Sequence, residues 1–159
     1  MKNLTIITVL IILITGNAFA QNWNAVCVGI NNYGDPENNL HWCVKDAIEM
    51  KEYLITYKQW SSGKITRLLD NDASESVIHT AIQNMPRSAG NTNLFSFSGH
   101  GNSRELDTLY GGSDGDGLYA PDWAMITPSE LQADLGSTFN QSTAFLDACG
   151  SGIFPRVMT

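Results

Sequence analysis

Two residues in this 159-residue chain have the type and surroundings for nucleophilic catalysis. His100 stands in Phe97-Ser98-Gly99-His100-Gly101, and Cys149 stands in Phe145-Leu146-Asp147-Ala148-Cys149-Gly150-Ser151-Gly152. A cysteine nucleophile needs an imidazole to take its proton and return it to the leaving group, with backbone N–H donors aimed at the developing oxyanion. The glycines beside both residues leave room for a substrate to approach the backbone. Taken singly, the two residues also fit a plainer description, with His100 a loop residue and Cys149 an apolar filler.

The elements around them decide whether they meet. Ala25 to Ile30 is a continuous apolar run halted by Asn31, Asn32 and Gly34, as expected of a strand buried on both faces. From Leu40 to Tyr57, Val44, Ala47, Ile48, Leu54 and Ile55 recur at helical spacing, with Lys51 as an exception. Ile65 to Leu69 reads as a second strand; Asp72 and Glu75 have capping-box spacing before a helix that Pro86 ends. Asn93 to Ser98 forms a third strand, and the polar stretch from there to Asp122 is loop or hairpin. Thr127-Pro128-Ser129-Glu130 opens a short helix reaching about Leu135, and Ser142 to Leu146 is a fourth strand. Strands alternating with helices predict a mostly parallel sheet with helices on both faces. Ligands gather at the carboxyl ends of such strands, where His100 and Cys149 both fall.

Composition removes other classes. Nine Lys and Arg against 16 Asp and Glu give a net charge of −7, the wrong sign for gripping phosphate backbones, so nucleic acid is not expected as a partner. Lys2, the apolar run from Leu4 to Thr15 and Ala18-Phe19-Ala20 read as a signal peptide over 1–20, cleaved before Gln21. The apolar stretch is too short to span a bilayer, so the expected product is secreted or periplasmic, with no membrane contact after cleavage. Cys27, Cys43 and Cys149 are odd in number, which leaves at least one free thiol; Cys27 reads as an inert core residue. No zinc-type spacing occurs, and Gly111-Gly112-Ser113 lacks the Lys of a phosphate-binding loop. His79 lies on a helix without a partner motif, His41 beside Trp42 reads as packing, and the four tryptophans have no repeated spacing.

The two motifs resemble those of metacaspases, caspase-like cysteine peptidases in which they read Y-S-G-H-G and D-S-C-H-S-G. Ala25-Val26-Cys27-Val28-Gly29-Ile30-Asn31 and Cys43-Val44-Lys45-Asp46-Ala47 resemble that family's first strand and the start of its first helix. The resemblance thus runs from about Ala25 to Phe154, departing at Ala148 and Gly150. It implies a caspase-like three-layer α/β sandwich over 21–159, a domain incomplete at its C-terminus because that fold adds two strands beyond the nucleophile. It implies Cys149 as nucleophile, His100 as acid and base, and the amides of Gly101 and Cys149 as oxyanion donors. It also places an acidic pocket for Arg or Lys on Cys43, Asp46, Ser98 and Asp147. Strand alternation agrees with part of this, since Asp147 is two residues before Cys149 and would point the same way. The expected partner is therefore a protein or peptide with a basic residue before the scissile bond.

Metacaspases often use calcium through an I-x-D-D-E segment, but the corresponding Ile126-Thr127-Pro128-Ser129-Glu130 lacks the paired aspartates. Asp114-Gly115-Asp116-Gly117 lacks the ligand series of a calcium-binding loop and reads as a turn. No cofactor is expected, with calcium held by the Asp114–Gly117 loop as the weaker alternative. The missing strands keep a second function open: a catalytically inactive caspase-like interaction module, or a subunit needing a C-terminal partner chain or segment.

Overall fold

The structure is a computed structural model that describes residues 22–87, 90–103, 115–136 and 142–151. The expected signal peptide, Gly111-Gly112-Ser113 and Asp114 lie outside them. Four parallel strands form the central sheet: β1 (Asn22–Gly29), β2 (Ile65–Leu69), β3 (Asn91–Ser98) and, numbered in chain order, β7 (Ser142–Asp147). Their order is β2-β1-β3-β7. Helix α1 (Cys43–Thr56) covers one face, while α2 (Glu75–Gln83) and α3 (Pro128–Gly136) cover the other. A small antiparallel sheet of β4 (Gly101–Asn102), β5 (Gly117–Tyr119) and β6 (Met125–Ile126) extends from the end of β3. It accounts for part of the polar stretch read as loop or hairpin.

Alternation along β1 divides the core. Ala25 and Cys27 pack with Ala47 and Leu54 of α1, whereas Val26 and Val28 join Phe95, Phe97, Ile78, Ile82, Leu131 and Leu135. Burial of each large apolar side chain contributes about 1.5–3 kcal/mol, so both helical layers are held by the sheet rather than by helix propensity. Gly29 has no side chain because a Cβ there would lie 2.2 Å from the Cys43 carbonyl oxygen. The close approach brings the first turn of α1 onto the end of β1. Among the described residues, β7 has no neighbour on its outer edge, and Phe145 on this strand is 53% exposed.

Three local expectations change. Helix α1 starts at Cys43 instead of Leu40, with Trp42 at its N-cap making no side-chain cap bond; Asn31 Oδ1 accepts from the Val44 amide at 3.3 Å. Lys51 belongs on its half-buried face because Nζ donates to the Ile65 carbonyl at 3.0 Å. At α2 the Asp72–Glu75 capping box does not form. Residues Asp70–Asp72 instead close a 3-10 turn, and Ser74 takes the N-cap position. By contrast, the box opening α3 forms in both directions: the Glu130 amide donates to Thr127 Oγ1 at 3.3 Å, and the Thr127 amide to Glu130 Oε2 at 2.8 Å. The Thr127 hydrogen bonds hold the Glu130 carboxyl below its ordinary range.

His79 is not partnerless. Its Nδ1 pairs with Asp134 of α3, a residue 7% exposed that also accepts from Gln83 Nε2 at 2.8 Å. The pairing joins α2 to α3 and could not be read from periodicity, because 55 residues separate the partners. His79→Ala should lower stability by about 1–3 kcal/mol by taking a partner from a buried carboxylate. Lys45→Ala, which breaks the exposed pair with Glu49 and the exposed contact of Nζ over the Trp42 ring, should change it by no more than about 1 kcal/mol. Urea unfolding midpoints of the two variants check the contrast.

Candidate active site

The register of β3 with β7 sets Ser98 opposite Asp147, so the chain leaves both strands at the same level. The Gly99 amide then donates to the Asp147 carbonyl at 3.2 Å. Gly101 must lack a side chain, since a Cβ would lie 2.5 Å from the Cys149 carbonyl oxygen and 2.9 Å from the Ala148 Cβ. The His100 and Cys149 segments are thereby packed backbone to backbone.

A cavity of about 500 Å³ opens beside them and is lined by Cys43, Asp46, Ser98, His100, Asp147 and Cys149 among others. These are all six side chains that the sequence motifs single out. Ser98 is buried and its Oγ donates to Asp46 Oδ2 at 2.8 Å, turning one carboxylate of α1 toward the sheet. Cys149 is exposed and Cys43 half-buried. Burial pushes the Cys43 thiol up, and the nearby carboxylates of Asp46 and Asp147 add to this, outweighing its contact with Ser98. Both acids therefore direct negative potential onto the same spot. Cys27, fully buried, is pushed up by desolvation and lies outside the cavity lining.

His100 is held by groups that sequence reasoning missed. Its Nε2 lies 2.8 Å from the Asn38 carbonyl oxygen, which can only accept; Nε2 therefore donates, and in the neutral imidazole the lone pair is on Nδ1. The His100 amide donates to the Tyr33 hydroxyl at 2.7 Å, and that hydroxyl donates to the Tyr119 carbonyl at 3.3 Å. The Tyr33 phenol is buried, and desolvation drives its pKa far up, so it remains a neutral donor. Asn38 and Tyr33 lie in the turn-rich segment after β1, where Asp35 caps a 3-10 turn that starts with Pro36. The Asp-Pro pair signals that turn, but nothing in the sequence signals which carbonyl faces the imidazole. His41 and Trp42, read as packing, are exposed on the rim of the cavity.

Among the described residues, the metal-type donors that come together are Glu75, His79 and Glu130, within 4.8 Å of one another and outside the cavity lining. Ile126 to Glu130 itself is the end of β6 and the cap of α3.

The caspase domain profile of peptidase family C14 matches residues 24–157, and the chain belongs to that family of cysteine peptidases. A solved structure of a protein from Geobacter sulfurreducens is similar in fold, with a TM-score of 0.57 and 23% identity. The similarity covers 83% of this chain and 53% of that one, so the chain spans about half the length of the solved relative. No curated protein matches the chain.

Iodoacetamide should modify exposed Cys149 first in the folded protein, Cys43 later, and Cys27 only on unfolding. Asp147→Asn removes a charge that raises the Cys43 thiol, so Cys43 labelling at neutral pH should accelerate while Cys27 stays protected. Timed peptide mass analysis reads all three rates.

Proposed function

We propose that the chain is a metacaspase-like cysteine endopeptidase that cleaves after Arg or Lys, with Cys149 as nucleophile and His100 as acid and base. The observation that carries the reading is the single cavity lined by His100, Cys149 and two carboxylates. His100 Nδ1, the lone-pair nitrogen of the neutral tautomer that the Nε2 bond to Asn38 selects, takes the thiol proton. The sulfur attacks the scissile carbonyl, and the amides of Gly101 and Cys149 hold the oxyanion. The imidazolium returns the proton to the leaving amine; water, deprotonated by the same imidazole, then hydrolyses the thioester. Asp46 and Asp147 recognise the basic side chain, for which two carboxylates suit a guanidinium's forked donors.

Arg-, Lys- and Asp-terminated fluorogenic peptides test the pocket directly, with turnover expected for the first two. Cleavage confined to the Asp peptide would sink the assignment, because that substrate needs a positive pocket. Asp147→Ala should lower kcat/KM for Arg substrates by roughly ten- to a thousandfold while sparing alkylation of Cys149. Asp46→Asn should act in the same direction but more mildly, since the amide retains shape and one acceptor.

Export rests on residues 1–20 alone, and a secreted or periplasmic location is part of this proposal. The structure also favours a second reading, a subunit or interaction module completed by another chain or segment. Its support is the edge of β7, unpaired among the described residues, and the adjoining 940 Å³ groove, where Trp23, Tyr53, Trp60, Leu94 and Phe145 are among the lining residues. An Arg chloromethylketone separates the two. Labelling of Cys149 that disappears in His100→Ala supports the peptidase; a chain that ignores the probe until a longer form supplies further strands supports the subunit.

A further inference from the structure

We propose that Trp123 is a positioning residue for His100, its indole face holding the imidazole and stabilising the imidazolium formed when Cys149 gives up its proton. This inference rests on the His100–Cys149 reading above. The indole and imidazole are stacked, with centroids 5.7 Å apart and planes 20° from parallel, while Tyr33 meets the imidazole from a tilted position at 4.5 Å. A cation within about 6 Å of an aromatic face is attracted by the negative charge above the ring, most strongly for indole. The proton passes from Sγ to Nδ1, creating a thiolate and an imidazolium without any other reactant. Asn38 keeps its hydrogen bond to Nε2 throughout, which leaves the ring faces to respond to the new charge.

Trp123 is held in place at some conformational cost. Its φ is 63°, a left-handed conformation that a bulky residue rarely adopts, and the side chain remains 42% exposed. Burial alone is a poor reason to hold a half-exposed indole there. Indole Nε1 donates to the Tyr33 carbonyl at 3.1 Å, and the Trp123 amide donates to the Ala120 carbonyl at 2.9 Å in the turn between β5 and β6. Tyr119 meets the indole edge-on at 5.5 Å. The turn, the ring edge and the N–H bond together fix the face that the imidazole meets, and strain concentrated at such a point is typical of functional sites.

Trp123→Phe and Trp123→Leu separate the ring face from bulk. Both lose the Nε1 bond and inherit the same backbone strain, but only Phe keeps an aromatic face. His41, Cys43, Asp46 and Asp147, the other titratable groups of the cavity, and Tyr33 are unchanged in both. The readout is the iodoacetamide rate at Cys149 at pH 6, a reaction that needs the thiolate but no substrate pocket, with His100→Ala as reference. Trp123→Phe should stay within about twofold of the original protein, and Trp123→Leu should be roughly three- to tenfold slower. Should Trp123→Leu fail to fold by circular dichroism, Trp123→Met takes its place with the same expectation. Equal rates in the ring-keeping and ring-lacking variants would overturn the proposal while the dyad stands. A Cys149 rate in the original protein no faster than in His100→Ala would overturn the dyad itself, and this inference with it.

Discussion

The parallel pairing of β3 with β7 is the constraint from which the rest of the site follows. Strand residues alternate in direction, so the Ser98–Asp147 register determines which side chains reach the cavity and which enter the core. A slip of one residue would exchange them. It would also part Gly101 from the Cys149 carbonyl, a contact so close that position 101 has no space for a side chain. The apolar core resists the slip, since Ala144 and Leu146 of β7, paired with Phe95 and Phe97 of β3, pack against the same core cluster as those two side chains. Packing remote from the cavity therefore aligns the groups within it.

The second half of the arrangement depends on polar side chains in an irregular segment. Asp70, itself at a φ of 44°, accepts from the amides of Asn31 and Asn32 at 2.7 and 2.9 Å, and Asn39 accepts from the Tyr33 amide at 2.9 Å. These bonds satisfy backbone groups that no strand or helix could serve. Their effect is to shape the segment after β1 so that the Asn38 carbonyl faces the imidazole. A carboxylate just beyond the carboxyl end of β2 thus bears on the orientation of a histidine just beyond the carboxyl end of β3.

The four strands of the central sheet, the α1 face and the α3 cap were legible in the sequence because each depends on local periodicity or on residues three apart. Ile65–Leu69 is the same segment by either route, and Thr127 with Glu130 makes the cap that its spacing predicts. The Asp72–Glu75 spacing misled because a 3-10 turn competes for the same residues. Of the candidate site, the motif residues could be named from the sequence, and their convergence on one cavity follows from parallel topology. The partners of His100 could not be named. Asn38 acts through a backbone carbonyl, which any residue type supplies, and Tyr33 and Trp123 carry no signal distinguishing them from core aromatics. His79 and Asp134 likewise meet only through the packing of two helices distant in sequence.

Strand β7, bonded along one side only among the described residues, places the two halves of the site in regions of unequal permanence. The histidine follows an interior strand whose amides and carbonyls are engaged on both flanks. Asp147 and the cysteine that follows belong to a margin with one ladder to break, and local opening begins where fewest bonds must be broken together. The histidine proposed to accept the proton is thus anchored more firmly than the wall proposed to judge the substrate. Whatever pairs with that margin would damp its fluctuations, making selectivity the property of the site most responsive to assembly.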